Sequence, residues 1–303
     1  MPTKKKHIEW IPLQGTAKIE SNLIQYQPIR VTEGPGEGQI NVCIIGSNVY
    51  FQQGTIDFEV NLGGDDSRCQ VVINHQLNPQ VFIGFNFGTN AYGMALLKTD
   101  GKWEMIEASG IGHPAKKNTW LKARISVVGS TISMYVDGVR VLRGSAVIKK
   151  TQPALFLHGA NELRLRNIAV NEQKPRAFIV MQYTDEFNSL YKEVIKTTCE
   201  KYGYEAIRAD DIFTNGQIIN DITRSIEEAS VIIADITPNN PNVFYEVGYA
   251  HATRKPTILL CERGRENLPF DVSGFRTLFY DNTIGGKSQI EERLSKHLEN
   301  IIG

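Results

Sequence analysis

The spacing of apolar residues changes about midway along the chain. Up to Val170, short stretches alternate apolar and polar residues, as in GTIDFEVNL, WLKARISVVG and ELRLRNIAV. A period of two separates the two faces of a β-strand. Asp137 and Gly138 stand between two such stretches, where Asp-Gly predicts a hairpin. Because helical spacing is almost absent from this half, we predict an antiparallel jelly-roll sandwich.

From Arg176 onward the apolar residues follow a different pattern. The runs AFIVMQY, YEAIRAD, SVIIADI, PTILLCE and TLFYD predict strands, and the segments between them have helical spacing. Among the predicted helices, QIINDITRSIEEA has an apolar face of Ile218, Ile222 and Ile226, and the last helix runs from about Ser288 to Ile302. Continuous apolar strands that alternate with helices indicate a doubly wound, mainly parallel α/β sheet.

The polar segment NEQKPR separates these two halves. A chain of 303 residues is long enough for two domains of ordinary size. We therefore predict an all-β domain over residues 1–172 and an α/β domain over residues 173–303.

Composition narrows the classes of partner. The 33 basic and 33 acidic residues balance, so the chain lacks the net charge that attracts nucleic acid, and we expect no nucleic-acid partner. No apolar run approaches the roughly 18 to 20 residues that span a bilayer, and MPTKKKHIEW lacks the apolar segment of a secretory signal. We expect a cytoplasmic protein with no membrane partner.

The four cysteines also bear on the chemistry. They lie far apart and form no CxxC pair, which argues against a disulfide framework and against a zinc site. We expect buried, reduced thiols and no metal.

Ligands of an open parallel sheet bind at the carboxyl ends of its strands. The three loops there span residues 181–186, 208–216 and 235–242. Asp235 ends the third strand, and Glu246 lies near the start of the next helix, with Asn242 and Tyr249 beside it at helical spacing. Glu246 and Asp235 are the catalytic candidates, since carboxylates act as nucleophile, acid or base.

Other polar and aromatic residues of these segments are candidates for substrate binding. Arg208 can bind a phosphate or pair with a neighbouring carboxylate. The aromatic residues can stack on a base or belong to the core. The substrate-binding candidates are Gln182, Tyr183, Phe187, Arg208, Asp210, Asn242, Tyr245 and Tyr249.

The stretch NPNVFYEVGYAHA, preceded by IIADIT and followed by KPTILL, resembles the nucleoside 2-deoxyribosyltransferase-like and TIR-like group of nucleotide-processing domains. RADD at Arg208 to Asp211 and LPFDVSGFRTLFY extend the resemblance. It implies cleavage of an N-glycosidic bond, with Glu246 acting on the anomeric carbon of the ribose.

The substrate follows from the same resemblance. The first loop, MQYTDEF, contains no glycine, which argues against a nucleoside monophosphate and favours NAD+, bound as substrate rather than as cofactor. The alternatives are a nucleoside or nucleotide N-glycosidase or deoxyribosyltransferase, and a non-catalytic scaffold that binds a nucleotide signal.

The first half resembles concanavalin A-like and laminin G-like jelly rolls in FQQGTIDFEV, in the run from Asn118 to Gly138 and in ELRLRNIAV. No paired-acid motif such as ExDxE is present, so we expect a binding module rather than a glycanase. Its ligand is a carbohydrate or a protein, and Tyr92, Trp103 and Asn90 are the candidate glycan-binding residues.

A recognition domain joined to a nucleotide-cleaving domain is typical of a sensor with its effector. We expect a homo-oligomer in which ligand binding or assembly through the first half controls the second. The TIR-like resemblance implies a role in bacterial antiviral defence through depletion of NAD+.

Overall fold

The computed structural model describes residues 8–30, 32, 38–211, 217–265 and 274–302. Apart from the turn Val128–Ser130, the chain divides into one unit that ends at Gln173 and a second that begins at Lys174.

The first unit is an antiparallel sandwich of two seven-stranded sheets. One sheet has the order β1-β4-β13-β6-β7-β8-β9, and the other β12-β11-β10-β5-β14-β3-β2. The strands are β1 Trp10–Gln14, β2 Ala17–Glu20, β3 Leu23–Tyr26, β4 Cys43–Ser47, β5 Gly54–Asn61, β6 Arg68–Ile73, β7 Gln80–Phe87, β8 Asn90–Leu97, β9 Trp103–Ile111, β10 Trp120–Val128, β11 Thr131–Val136, β12 Val139–Ser145, β13 Ala154–His158 and β14 Leu163–Glu172.

Strand β5 shows why this sequence folds as a sandwich. Ile56, Phe58 and Val60 alternate with half-buried polar residues and lie in the large apolar core of this unit. Burial of these alternate side chains fixes the register, since a slip of one residue would turn them to solvent. The predicted jelly-roll sandwich is confirmed.

The predicted Asp-Gly hairpin joins β11 to β12. Asp137 and Gly138 have φ angles of 49° and 83°, and Val136 pairs directly with Val139. Two consecutive residues at positive φ match the right-handed twist of the flanking strands, and glycine adopts this conformation without steric penalty.

The second unit is a five-stranded parallel sheet with helices on both faces, which confirms the predicted α/β fold. Its strand order is β16-β15-β17-β18-β19. The elements are β15 Arg176–Val180, α1 Asp185–Leu190, a π-helical segment Tyr191–Lys196, α2 Thr197–Lys201, β16 Glu205–Arg208, a 3-10 turn Ala209–Asp211, α3 Ile218–Glu228, β17 Val231–Asp235, α4 Pro241–Ala252, β18 Thr257–Glu262, β19 Thr277–Tyr280 and α5 Ile284–Ile302.

Each face of this sheet has its own apolar layer. Ala177 and Ile179 of β15 pack with residues of α1, α2 and α5, whereas Phe178 and Val180 pack with residues of α3 and α4. The strand order reverses direction at β15 and β17, which makes the carboxyl ends of these two strands the expected ligand crevice.

Two helices differ from their predictions. Helix α5 begins at Ile284, four residues before the predicted start, because Thr283 accepts a hydrogen bond from the Gly286 N–H and offsets the poor helix propensity of Gly285 and Gly286. In α3, Ile226 is buried, but Ile218 is 76% exposed.

All four cysteines are free and buried. Among the described helices, none combines the length and the apolar character that crossing a bilayer requires.

Candidate active site

A cleft of about 700 Å³ opens at the carboxyl ends of β15, β16 and β17. Its volume is within the range of about 300–1,000 Å³ that is usual for small-molecule sites. The described lining residues are Met181, Gln182, Tyr183, Ala209, Asp210, Ile218, Ile219, Asp221, Ile222, Asn240, Asn242, Val243, Tyr245 and Glu246.

Glu246 reaches the cleft because α4 begins immediately beside it. Asn240 caps this helix by accepting a hydrogen bond from the Asn242 N–H at 3.0 Å, and Pro241 occupies the first helical position. Val243 and Val247 then face the sheet, so the helical period directs Glu246 to the edge between the buried face and the cleft.

The Glu246 side chain is largely buried. It is only 9% exposed, and in the described part of the chain no hydrogen bond or ion pair involves its carboxylate. Burial raises its pKa to about 7. A carboxyl group that titrates near neutrality in a cleft is a strong candidate for catalysis.

Two tyrosines stand at the mouth of the cleft. Tyr183 follows β15 and is 48% exposed, and Tyr245 precedes Glu246 on α4 and is 53% exposed. Burial of the hydroxyl, followed by the nearby Glu246 carboxylate, raises the pKa of Tyr183 to about 12. The Tyr183 phenol therefore stays neutral at neutral pH, and both tyrosines can present apolar rings to a ligand.

Arg208 ends β16 just behind the cleft, and its guanidinium is fully engaged. It is 5% exposed, forms a two-pronged ion pair with Asp210, and donates to Asn188 Oδ1 at 2.8 Å. The guanidinium also lies 4.9 Å from the ring centre of Tyr183. In the structure Arg208 therefore pairs with a neighbouring carboxylate rather than presenting a free guanidinium to the cleft.

Asp235 does not join Glu246 in the cleft. It is fully buried, and its carboxylate accepts hydrogen bonds from the Thr237 N–H at 2.9 Å and the Tyr280 hydroxyl at 2.8 Å. Burial raises its pKa to about 6. These contacts tie the end of β17 to β19.

Two further candidates lie away from the cleft. Phe187 is buried in the apolar layer on the opposite face of the sheet from α4. Tyr249 donates a hydrogen bond to Glu227 Oε1 at 2.5 Å, which links α4 to α3. Gln182, Asp210, Asn242 and Tyr245 do line the cleft, together with Tyr183.

Sequence reasoning missed the contribution of α3. Ile218, Ile219 and Asp221 line the cleft, although Ile218 was predicted to face the core. The sequence carries one signal: Ile218 and Ile219 are adjacent, so both cannot share the face that buries Ile226. Residues 212–216 of the second loop and 268–273 of the LPFDVSGF motif lie outside the described residues.

The glycan candidates of the first unit are not brought together. Tyr92 packs against Phe85 of the core, and the Asn90 side chain donates to the Phe87 carbonyl. Trp103 stacks edge-on against Phe82, at the opposite end of the β8–β9 ladder from Asn90. A seven-residue offset along a strand corresponds to about 24 Å.

A different groove, of about 580 Å³, lies on the outer face of the second sheet. Its floor is a cross-strand ladder in which Glu59 faces Lys122 and Asp57 faces Arg124. Tyr135 and Asn167 also line this groove. In the described part of the chain, no three His, Cys, Asp or Glu side chains are grouped as a metal site.

No protein-family model matches the sequence, and no curated protein matches it. Among solved structures, a carbohydrate-binding module CBM66 from Bacillus subtilis aligns at 12% identity and a TM-score of 0.43, covering 55% of this chain and 98% of that one. The Bacillus licheniformis β-glucanase aligns at 11% identity and a TM-score of 0.38, covering 57% of this chain and 95% of that one.

A TIR domain of the Toll-related receptor TRR-2 from Hydra magnipapillata aligns at 13% identity and a TM-score of 0.34, covering 42% of this chain and 98% of that one.

Proposed function

We propose that the second unit cleaves an N-glycosidic bond, with NAD+ as the leading substrate and Glu246 as the catalytic carboxylate. The observation that carries this proposal is the buried Glu246 side chain, which lies in a ligand-sized cleft and has a pKa of about 7. At neutral pH a large share of the molecules therefore hold an ionised carboxylate in a poorly solvated position, where it interacts strongly with positive charge.

The reaction needs such a group. As the C1′–N bond of NAD+ breaks, its electron pair moves to the pyridinium nitrogen and nicotinamide leaves as a neutral molecule. The Glu246 carboxylate bonds to C1′ or stabilises the oxocarbenium-like charge there. Water then bonds to C1′, the carboxylate is restored, and one proton passes to solvent.

The mouth of the cleft suits the base of such a substrate. Tyr183 and Tyr245 present half-exposed rings in the cleft that holds Glu246, and base stacking on an aromatic ring contributes about 1–3 kcal/mol. We assign both as binding residues. Asp235, tied to Thr237 and Tyr280, acts in this proposal as a positioning residue for the loop before α4.

A base-release assay separates the candidate substrates. Full-length protein and Glu246→Gln are incubated with NAD+, with nucleosides and with nucleoside monophosphates, and the free base is quantified. Nicotinamide release that requires Glu246 supports the NAD+ reaction. Release only from a nucleoside or nucleotide supports the second candidate, an N-glycosidase or deoxyribosyltransferase. Binding of NAD+ without turnover supports the non-catalytic scaffold.

For the first unit we propose carbohydrate binding in the outer groove of the second sheet. The supporting observation is the alternation of acceptors and donors: Asp57 pairs with Arg124 at 2.5 Å, and Glu59 pairs with Arg166 at 2.8 Å. Such planar groups bond to neighbouring hydroxyls of a sugar, and Tyr135 supplies an aromatic ring beside them.

Affinity electrophoresis in gels that contain soluble β-1,3-1,4-glucan or dextran tests this binding. Retardation that Tyr135→Ala or Arg124→Ala abolishes supports the groove, whereas Trp103→Ala serves as the matched aromatic control away from it. Retardation that depends on Trp103 instead would move the site to the other sheet.

We further propose that assembly or ligand binding through the first unit controls turnover by the second, as in an antiviral effector. A rise in specific activity with protein concentration, or on addition of a glucan that binds, supports this control. Identical specific activity of the full chain under all these conditions argues against it.

A further inference from the structure

Arg208 is buried behind the cleft, and its guanidinium lies against two tyrosine rings. Its Cζ atom is 4.9 Å from the ring centre of Tyr183 and 4.5 Å from that of Tyr191. Tyr183 lines the cleft, whereas Tyr191 is buried in the apolar layer on the opposite face of the sheet from α4. These three side chains form the tyrosine–arginine stack, which connects the wall of the cleft to the interior of the second unit.

Hydrogen bonds fix the plane of the guanidinium in this stack. The Arg208 Nε donates to Asp210 Oδ1 at 2.6 Å, Nη2 donates to Asp210 Oδ2, and Nη1 donates to Asn188 Oδ1 at 2.8 Å. Asp210 belongs to the 3-10 turn after β16, and Asn188 belongs to α1. A planar fork that donates to acceptors from two separate elements has little freedom to rotate.

The second ring of the stack is held in place by Asp211. Its Oδ2 atom accepts hydrogen bonds from the Arg208 N–H at 3.2 Å and from the Tyr191 hydroxyl at 3.1 Å. Tyr191 begins the π-helical segment Tyr191–Lys196, and π-helical turns occur frequently at functional sites. The carboxylate of Asp211 therefore ties this segment to the end of β16, where Arg208 lies.

Tyr183 depends on the stack for its orientation. It follows β15 in a loop, it is 48% exposed, and its hydroxyl forms no hydrogen bond in the part of the chain that the structure describes. A ligand that must order a freely rotating side chain binds less tightly. Contact with a guanidinium that is only 5% exposed restrains the ring in advance, since cation–π attraction strengthens where water is excluded.

Resting on the proposed NAD+ glycosidase function, we propose that Arg208 is a positioning residue for substrate binding. Its guanidinium holds the Tyr183 ring in one orientation, so that the ring is a preformed platform for a base of the substrate. Arg208 acts through Tyr183 and does not itself contact the substrate. Lysine cannot replace it, because an ammonium group is not planar and cannot form the two-pronged pair with Asp210.

A platform for binding predicts a separation of KM from kcat. The ring contributes equally to the bound substrate and to the transition state, whereas Glu246 acts on C1′ as the bond breaks. Arg208→Lys should therefore raise KM for NAD+ by about threefold to tenfold and leave kcat within about twofold of wild type. The Kd of NAD+, measured by calorimetry in the Glu246→Gln background, should rise by the same factor as KM.

A double-mutant cycle tests whether Arg208 acts through Tyr183. Tyr183→Leu removes the ring, so adding Arg208→Lys in that background should change KM and Kd by less than about twofold. Two losses that multiply would indicate a general structural role for Arg208 and overturn the inference. Asn188→Ala provides a milder variant in case Arg208→Lys does not fold, since it removes one acceptor and leaves every charge in place. It should raise KM by about twofold, and only while Tyr183 is present.

Arg176→Met is the matched control. Arg176 also forms ion pairs with two carboxylates, those of Glu205 at 3.3 Å and Glu228 at 3.0 Å. It begins β15, however, and so lies at the opposite end of the parallel sheet from the cleft. This substitution should leave KM and Kd unchanged. Circular dichroism and thermal unfolding of every variant establish that it is folded.

The outcomes separate the two proposals. Nicotinamide release that requires Glu246, with KM unaffected by Arg208→Lys or with kcat lowered instead, overturns the positioning role and leaves the glycosidase intact. Binding of NAD+ without release overturns the glycosidase, and the Kd cycle then decides the positioning role alone. Neither release nor binding of NAD+ overturns the proposed NAD+ function and this inference with it.

Discussion

Two glutamates, one in each unit, show how the same side chain acquires opposite properties. Glu59 lies in the groove of the sandwich, where hydrogen bonds from Arg166 and Asn167 lower its pKa. Glu246 lies in the cleft of the α/β unit, where burial raises its pKa to about 7. A paired carboxylate stabilises the fold as an anion. A buried carboxylate without such a partner instead interacts strongly with a positive charge that enters the cleft.

Turnover by the second unit should fall steeply as the pH falls. Because Glu246 must be ionised to act on C1′, kcat/KM for nicotinamide release should fall about tenfold per pH unit below about 7 and level off above it. Steady-state assays between pH 5 and 8.5 measure this. Circular dichroism at each pH controls for unfolding, and a flat profile over a folded protein would exclude Glu246 as the titrating group.

Ionisation of Glu246 should affect the stability of the folded protein in the opposite direction to its effect on activity. Its pKa is higher in the folded state than in the unfolded state, so ionisation opposes folding as the pH rises from about 4.5 through 7. Glu246→Gln should therefore be more stable than wild type at pH 8, by up to about 3 kcal/mol, and equal to it near pH 4.5. Thermal unfolding at the two pH values checks this, and a loss of stability at pH 8 would mean that the carboxylate has a partner.

Asp235 provides an intermediate case, since it is buried like Glu246 but hydrogen-bonded like Glu59. Asp235→Ala leaves the Tyr280 hydroxyl and the Thr237 N–H without their acceptor, so we expect a loss of about 1–3 kcal/mol. Asp235→Asn keeps an oxygen for one of them and should lose less. Denaturant titration of the three proteins measures the order, and equal stability of Ala and Asn variants would contradict it.

The smallest effect is expected in the groove. The pKa of Glu59 is lowered in the folded protein, so its carboxylate contributes stability above the unfolded pKa, and the contribution disappears as the pH falls through the folded pKa. Glu59→Gln should lower the unfolding temperature slightly at pH 8, since ion pairs near the protein surface contribute little, and leave nicotinamide release without glucan unchanged. A marked drop in release would show that the groove affects catalysis.

The folds were largely predictable because they depend on periodicity. The alternation in β5 required only local spacing to be identified, and the position of Glu246 followed from the spacing in α4 in the same way. The hydrogen-bond and ion-pair partners of side chains at strand ends did not follow from local spacing. The direction of Asp235 depends on Tyr280, 45 residues later, and the pairing of Arg208 with Asp210 depends on the 3-10 turn Ala209–Asp211, which contains Asp210.

The glycan candidates show a similar limit. Tyr92 and Trp103 are both aromatic residues of neighbouring strands, and alternation alone does not tell which face of the sheet meets another sheet. In the structure Tyr92 faces the core cluster with Phe85, and Trp103 packs on Phe82 outside it. The groove instead follows Asp57 and Glu59, whose alternation with core residues was already visible in the sequence.

In the proposed reaction the buried carboxylate of Glu246 acts on C1′ as the N-glycosidic bond breaks. Its most direct test is nicotinamide release by full-length protein and by Glu246→Gln at pH 8, with thermal unfolding recorded on the same samples. We predict that the variant loses activity by orders of magnitude while unfolding at the same or a higher temperature. A variant that is equally stable and retains most of its activity would contradict a catalytic role for Glu246.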